Sequence, residues 1–344
     1  MKKIRIAVDI MSGDNLPEIL LQGVLSAVNE DKNIEIILVG KQELIDKELC
    51  KAKHKRLHNL SNISMVPSNE IIEMSESPAK ACKQKPNASV MIAAKLVSEN
   101  KADAYISPGN SGATMAASLI HLKRINGIKR PAIVSTMPTL NAHTVLLDVG
   151  ANVDVTPECL LQFGIMGSIY AEKIFDIKFP KVGLLNIGEE EQKGNTLTLE
   201  AFELLKQSKI NFVGNVEGKN INDGSCDVVV CDGFVGNIVL KVSEGVASVL
   251  IKFFKQSVKK NVFRKLAAIL FLPVLSDLKK KVDAKEYGGA LLLGTNGITI
   301  IAHGNSNALA IKNAIKFATF CVKNNLNEEI KKSIIKKIWS KNND

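Results

Sequence analysis

The chain has 344 residues, of which 46% are hydrophobic and 23% charged, and carries a formal net charge of +10. These proportions lie near the globular average and exclude disordered, collagen-like and low-complexity classes. The length admits two domains or one large α/β unit.

The N-terminal "MKKIRIAVDIMSGD" has two lysines and an apolar run. Arg5 and Asp9 cut that run too short for a signal-peptide core, so a cytoplasmic protein is expected. Short β-rich runs then recur along the chain: "IRIAVD", "IEIILVG", "NISMVP", "ADAYISP", "TVLLDVG", "KVGLLNIG", "CDVVVCDG" and "ITIIAHG". Each ends in a turn and is followed by a helical pattern. Continuous apolar strands alternating with helices are what a mostly parallel sheet covered on both faces produces. The expected fold is therefore an α/β/α sandwich with a mostly parallel central sheet. It forms a single catalytic unit over residues 1–344, with a soft subdomain boundary near 130–140. The six cysteines form no CxxC and lie far from any histidine pair, so neither a zinc site nor a disulfide framework is indicated, and buried free thiols are expected.

Glycines and asparagines concentrate at the C-terminal ends of these strands. In open α/β sheets ligands bind at that edge, because the following helix N-termini aim unpaired N–H groups and positive dipole ends at it. The first such loop lies in "ADAYISPGNSGATMAASLIHL", residues 102–122. Gly109 and Gly112 permit close backbone approach and unusual dihedrals, while Asn110 and Ser111 add side-chain donors at a helix start. The loop reads as an anion cradle or as a plain capped turn; it is neither a Walker A loop nor a GxGxxG fingerprint. In residues 146–163, "LLDVGANVDVTPECLLQF", Asp148, Gly150, Asn152 and Asp154 precede Pro157 in the first helical turn. These carboxylates suit a metal, the orientation of a lysine, or helix capping.

Residues 184–205 set Glu189, Glu190 and Glu191 before Lys193, Gly194 and Asn195, so a cation and several carboxylates share one loop. A solvated charge run is the plainer reading. Further strand-to-helix turns supply Asn215, Glu217, Asp232, Gly233, Gly236 and Asn237, and then Gly288, Gly289, Gly294, Asn296, Gly297, His303 and Gly304. His303 follows a strand, where catalysis and a structural hydrogen bond are both open. No GxSxG elbow, Cys-His signature or HExxH is present, so a covalent enzyme intermediate of those kinds is not expected.

From Lys252 to Lys285 ten Lys or Arg face two Asp, a net +8 around the uncharged run Leu266 to Leu275. That run is about half the roughly 20 apolar residues a membrane span needs, and Pro273 interrupts it. A core helix, a protein contact and a membrane-surface segment all fit. The favoured expectation is a helical protrusion over 246–285 whose apolar tip, with Leu266, Ile269, Leu270, Phe271 and Leu272, enters an anionic membrane surface while flanking lysines face lipid phosphates. Nucleic acid is not expected as a partner, since aromatic residues are only 5% of the chain and no stacking pattern interleaves with the basic residues.

Taken in order, "IRIAVDIMSGDNLPE", "SPGNSGATMAAS", "LLDVGANVD", "LLNIGEEEQKGN", "GNVEG", "CDGFVGNIVLK", "EYGGALLLGTNG" and "IIAHGNSNA" closely resemble the bacterial phosphate acyltransferases of phospholipid synthesis, the PlsX-type acyl-carrier-protein:phosphate acyltransferases. The resemblance covers nearly the whole chain. It departs at Ser12, where Gly is usual, and at Pro108 and Ser111, where Ala and Thr are usual; Ser111 keeps the hydroxyl. The resemblance implies transfer of a long-chain fatty acyl group from acyl carrier protein to inorganic phosphate, giving acyl phosphate, with no cofactor and no metal. It implies a fold similar to isocitrate-type decarboxylating dehydrogenases and phosphotransacetylases, and a homodimer. The product must reach a membrane-bound glycerol-3-phosphate acyltransferase, which agrees with peripheral association at the inner face of the cell membrane. Phosphate is already an anionic nucleophile and the departing thiol has a pKa near 8.5, so positioning and oxyanion stabilisation should outweigh proton transfer. On that footing Gly109, Asn110, Ser111 and Gly112 are expected to hold phosphate, Lys193 to stabilise charge, and Asn195, Asp232, Asn237 and His303 to orient the reactants. The rivals are a coenzyme A thioester donor on the same fold and a non-catalytic membrane-surface scaffold.

Overall fold

The computed structural model describes residues 3–54, 60–140, 143–259 and 288–340, together with positions 261, 263, 264 and 268. Its first half runs β1 (Ile4–Asp9), α1 (Pro17–Glu30), β2 (Ile34–Gly40), α2 (Gln42–His54), β3 (Ile63–Pro67), α3 (Pro78–Gln84), α4 (Ser89–Ser98), β4 (Ala104–Ser107) and α5 (Ser111–His121). Then follow β5 (Ala132–Pro138), β6 (His143–Leu147), α6 (Pro157–Phe175), β7 (Lys181–Leu185), α7 (Thr196–Lys206), β8 (Asn211–Val216), α8 (Asn220–Asp223), β9 (Val228–Val230) and α9 (Gly233–Lys259). The chain closes with β10 (Ala290–Leu293), β11 (Ile298–Ile301), a helix we number α10 (Ala308–Lys323) and α11 (Leu326–Ser340).

Local chemistry explains the helix starts. Pro17 and Pro157 open α1 and α6, where a missing N–H costs nothing. Asn110, Asn195 and Asn307 accept a backbone N–H three residues on and so cap α5, α7 and α10. Buried apolar residues then recur every three or four positions, as Leu20, Leu21, Val24, Ala27 and Val28 do in α1 and Ile311, Ala314, Ile315 and Ala318 in α10.

The strands form one eleven-stranded sheet in the order β3-β2-β1-β4-β11-β10-β5-β6-β9-β7-β8. Strands β3, β2, β1, β4 and β11 are mutually parallel, as are β6, β9, β7 and β8. Between these blocks β11–β10, β10–β5 and β5–β6 pair antiparallel. The two blocks therefore point in opposite directions. Alternate residues of each strand face opposite sides: Ile6, Val8, Ala104 and Ile106 join the core under α1, α6 and α10, whereas Ala7 and Tyr105 join the core under α4 and α5. The mostly parallel sheet covered on both faces is the architecture that the apolar patterning predicts.

The residues near 130–140, where the soft boundary is expected, are largely β5, which pairs β10 with β6 in the middle of the sheet. Of the expected protrusion, residues 246–259 are the exposed end of α9. The tip residues Leu266, Ile269, Leu270, Phe271 and Leu272 lie outside the described residues. Five cysteines are buried free thiols; Cys50 on α2 is a free thiol too, but exposed, because it sits on the outer face of a peripheral helix.

Candidate active site

The reversal of strand direction divides the glycine- and asparagine-rich loops between two edges of the sheet. The loops after β1, β4 and β11 share one edge, and those after β6, β7, β8 and β9 share the other.

At the first edge the anion loop is anchored from beneath by a buried carboxylate. Asp9 Oδ1 accepts the N–H groups of Met11 at 3.1 Å and Ser12 at 3.2 Å, while Ser107 Oγ donates to Asp9 Oδ2 at 2.7 Å. Ser107 Oγ in turn accepts the Gly109 N–H at 3.2 Å. Both Asp9 and Ser107 are wholly buried. The Gly109 amide is thus spent on the fold and is not free for an anion. Neither Gly109 nor Gly112 has a positive φ, so the unusual dihedrals expected there are not found. The two glycines are required by packing: a Cβ on Gly109 would stand 2.7 Å from Ser12 Cβ, and one on Gly112 would stand 2.6 Å from Pro78 Cγ. Asn110 caps α5 through Oδ1 and ties the loop to residues 74–76, its Nδ2 donating to Met74 O at 3.0 Å and to Glu76 O at 3.3 Å. Ser111, exposed in the first turn of α5, is the side chain of this loop that faces the open cleft.

At the second edge Asp148 is the organising group. Its Oδ1 accepts from Ile133 N at 2.9 Å and Ala151 N at 3.1 Å, and its Oδ2 from Asn152 N at 2.7 Å and Asn152 Nδ2 at 2.9 Å. Burial pushes the Asp148 carboxyl up from the usual carboxylate range, against the downward pull of these four bonds. With its oxygens filled by protein donors, Asp148 serves the fold. Asp232 caps α9 by accepting Val235 N at 2.9 Å, and Gly236 lets that helix start against the loop, since a Cβ there would stand 1.9 Å from Asp148 O. Asn237 lies over Gly150.

Helix α9 then bridges the edges. It begins against Asn152, whose carbonyl accepts Gly233 N at 2.8 Å, and about three turns later brings Glu244 Oε1 to 4.0 Å from His303 Nε2 after β11. The space between α9, β5 and the two loops is a cleft of about 1220 Å³. Gly109, Ser111, Asn237, Lys241, Glu244 and His303 supply polar groups to its wall, while Val242, Val246, Leu250, Phe317 and Phe320 supply apolar ones. Volume and mixed lining suit a substrate with an anionic head and a long hydrocarbon part.

Of the residues singled out from the sequence, Gly109, Ser111, Asn237 and His303 meet in this cleft, and Asn110, Gly112 and Asp232 build its supporting turns. Lys193 and Asn195 do not line it. They lie on the exposed loop between β7 and α7, where Asn195 and Thr198 cap each other at 3.0 Å and the Lys193 carbonyl accepts Asn186 Nδ2 at 2.9 Å. In the same loop Glu191 pairs with Lys206 at 2.9 Å and Glu189 with Lys219 at 3.6 Å. Lys241 and Glu244 escape a reading of the sequence because "LKVSEG" shows only an ordinary i,i+3 surface pair; their place opposite His303 comes from the sheet. Among the described residues no group of three or more His, Cys, Asp or Glu is gathered as metal ligands.

Comparison with known proteins identifies the family. A family described as "Fatty acid synthesis protein" matches residues 4–329. Proteins named "Phosphate acyltransferase" from Halothermothrix orenii and Desulfitobacterium hafniense are 48% and 49% identical over 97% and 96% of this chain, covering 99% and 98% of theirs. Among solved structures, a phosphotransacetylase from Streptococcus pyogenes superposes with a TM-score of 0.64 over 93% of this chain and 94% of that one, at 18% identity. A branched-chain phosphotransacylase from Enterococcus faecalis gives 0.57 over 93% and 99%, at 14% identity; at such identity these two speak for the fold alone. On near-full-length identity approaching one half, the chain belongs to the phosphate acyltransferase family and is an acyltransferase.

Proposed function

We propose that the protein transfers a long-chain fatty acyl group from the thioester of acyl carrier protein to inorganic phosphate, and that the acyl phosphate feeds phospholipid synthesis. The observation that carries this reading is the cleft that joins Ser111 and the start of α5 to the apolar wall of α9 and α10. Inorganic phosphate binds at the start of α5, where unpaired N–H groups and the helix dipole favour an anion. The acyl chain lies along Val242, Val246 and Leu250. A phosphate oxygen attacks the thioester carbon, the C–S bond breaks, and the thiol departs on the carrier. No bond to the enzyme is formed; holding the anion against the carbonyl and stabilising the oxyanion both contribute to the rate.

The test is mass-spectrometric detection of acyl phosphate after mixing the protein, phosphate and an acyl carrier thioester, with the acyl coenzyme A thioester in parallel. Product from the carrier thioester supports the reading; product from coenzyme A alone replaces the donor. Lys193→Ala locates the chemistry. With the reaction in the cleft, this variant keeps turnover within about threefold, whereas a loss of about 10²–10³, the cost of removing one electrostatic donor, moves the charge-stabilising role back to the β7–α7 loop.

The enzyme also works, in this reading, as a cytoplasmic homodimer held reversibly at the inner face of the membrane, beside the membrane-bound acyltransferase that consumes its product. Support for it is the apolar end of α9 outside the cleft, with Val249, Ile251, Phe253 and Phe254 exposed, which in the sequence precedes the basic segment around Leu266 to Leu275. Each basic residue near an anionic surface contributes about 1 kcal/mol. Wild type is expected to co-sediment with anionic vesicles at low salt, and a Leu266→Glu/Leu270→Glu double variant to remain in solution. Equal pelleting of the two removes the tip as an anchor.

A further inference from the structure

We propose that Glu244 is the positioning residue of His303: its carboxylate holds the imidazole edge in the cleft and favours its protonated form, so that His303 hands a proton to the departing sulfur. The inference rests on the transfer reading above. A carboxylate in the wall of an anion-binding cleft repels the substrate and needs a reason to be there. Glu244 is the only Asp or Glu among the described residues that line this cleft. Its Oε2 is held by Lys241 Nζ at 2.9 Å. Its Oε1 is shut off from solvent and has no hydrogen-bond partner among the described residues, a condition that buried acceptors rarely keep. His303 Nε2 lies 4.0 Å from that orphan oxygen. Catalytic contacts commonly tighten when substrate binds.

The chemistry has a use for the pair. Hydrogen phosphate enters with a proton that acylation makes more acidic, and the thiolate leaving the carbonyl needs one. As the C–O bond forms and the C–S bond breaks, an imidazolium gives its proton to sulfur and is reprotonated by the acylated phosphate, so one proton passes from phosphate to thiol with none lost. Charged groups of α9 lie beside His303 among the described residues. Glu244 stabilises its cation and Lys241 opposes it, both from α9. In the loop after β1, Asp14 packs beside the neighbouring Gly304, its Oδ2 lying 2.9 Å from where a Cβ on Gly304 would stand.

The first measurement needs no turnover. The chain has five histidines, and the His303 ring proton signal is assigned by its loss in His303→Gln. In Glu244→Gln, which keeps the shape of the side chain, the midpoint of that signal's titration is expected about one pH unit lower than in wild type, the size of effect a neighbouring opposite charge produces. The alkaline limb of kcat should move down by the same amount, with the KM for phosphate no higher than in wild type. A His303 midpoint that does not move in the folded Glu244→Gln variant overturns the proposal. So does a moved midpoint with an unmoved alkaline limb, since the pair would then be structural. If wild type makes no acyl phosphate from either donor, the transfer reading fails, and a shifted midpoint still registers the pairing separately.

Discussion

Asp148→Ala is expected to destabilise the folded protein by about 3 kcal/mol or more, because it leaves buried donors of Ile133, Ala151 and Asn152 without acceptors. The same carboxylate ties β5 to the loop on which α9 starts, so its loss should loosen the cleft wall as well. Asp148→Asn should cost less. Its carbonyl oxygen can still serve Ile133 and Ala151, but its amide then faces the two donors of Asn152. Urea unfolding of the three proteins checks the order, and a drop in Tm on the order of 10 °C should accompany the alanine variant. An alanine variant within 1 kcal/mol of wild type would show that water or a rearranged loop replaces the carboxylate.

His303→Ala carries the largest expected effect on rate. General acid catalysis by a positioned side chain contributes typically about 10²–10⁴-fold, and a loss of about 10² or more in kcat is expected at neutral pH. The fold should survive, since the His303 side chain is 44% exposed. Unaltered thermal unfolding, with acyl phosphate formation reduced and the KM for phosphate changed little, is the result that assigns the residue to chemistry. A raised KM with unchanged kcat would instead place it in phosphate binding, and a lowered Tm would make it part of the scaffold.

Much of the fold is legible in the chain. Eight apolar runs read as strands correspond to β1, β2, β3, β4, β6, β7, β9 and β11, because each is a short run that ends in a turn, in all but the first at glycine, asparagine or proline. Three strands are not legible. β8, "NFVGNV", is interrupted by Gly214, whose φ is +101°, and its pairing with β7 shifts register beside that interruption. β10 is only "ALLL" set among glycines. β5 falls where a subdomain boundary is expected, yet it is buried between β10 and β6.

The amino-acid sequence by itself determined where strands end, which residues cap the following helices, and which family the chain resembles, because turn chemistry and apolar runs are local and survive in the unfolded description. Strand direction is not local. Parallel and antiparallel strands carry the same alternation of side chains, and only long-range pairing decides between them. That is why β10 and β5, the two strands that reverse the sheet, were needed to show that the motif loops occupy opposite edges. The same pairing swings α9 across the gap, sets Glu244 beside His303, and leaves Lys193 on the far loop. Tertiary structure alone could decide those three placements, because each depends on residues far apart in the chain meeting across a sheet whose direction no single segment records.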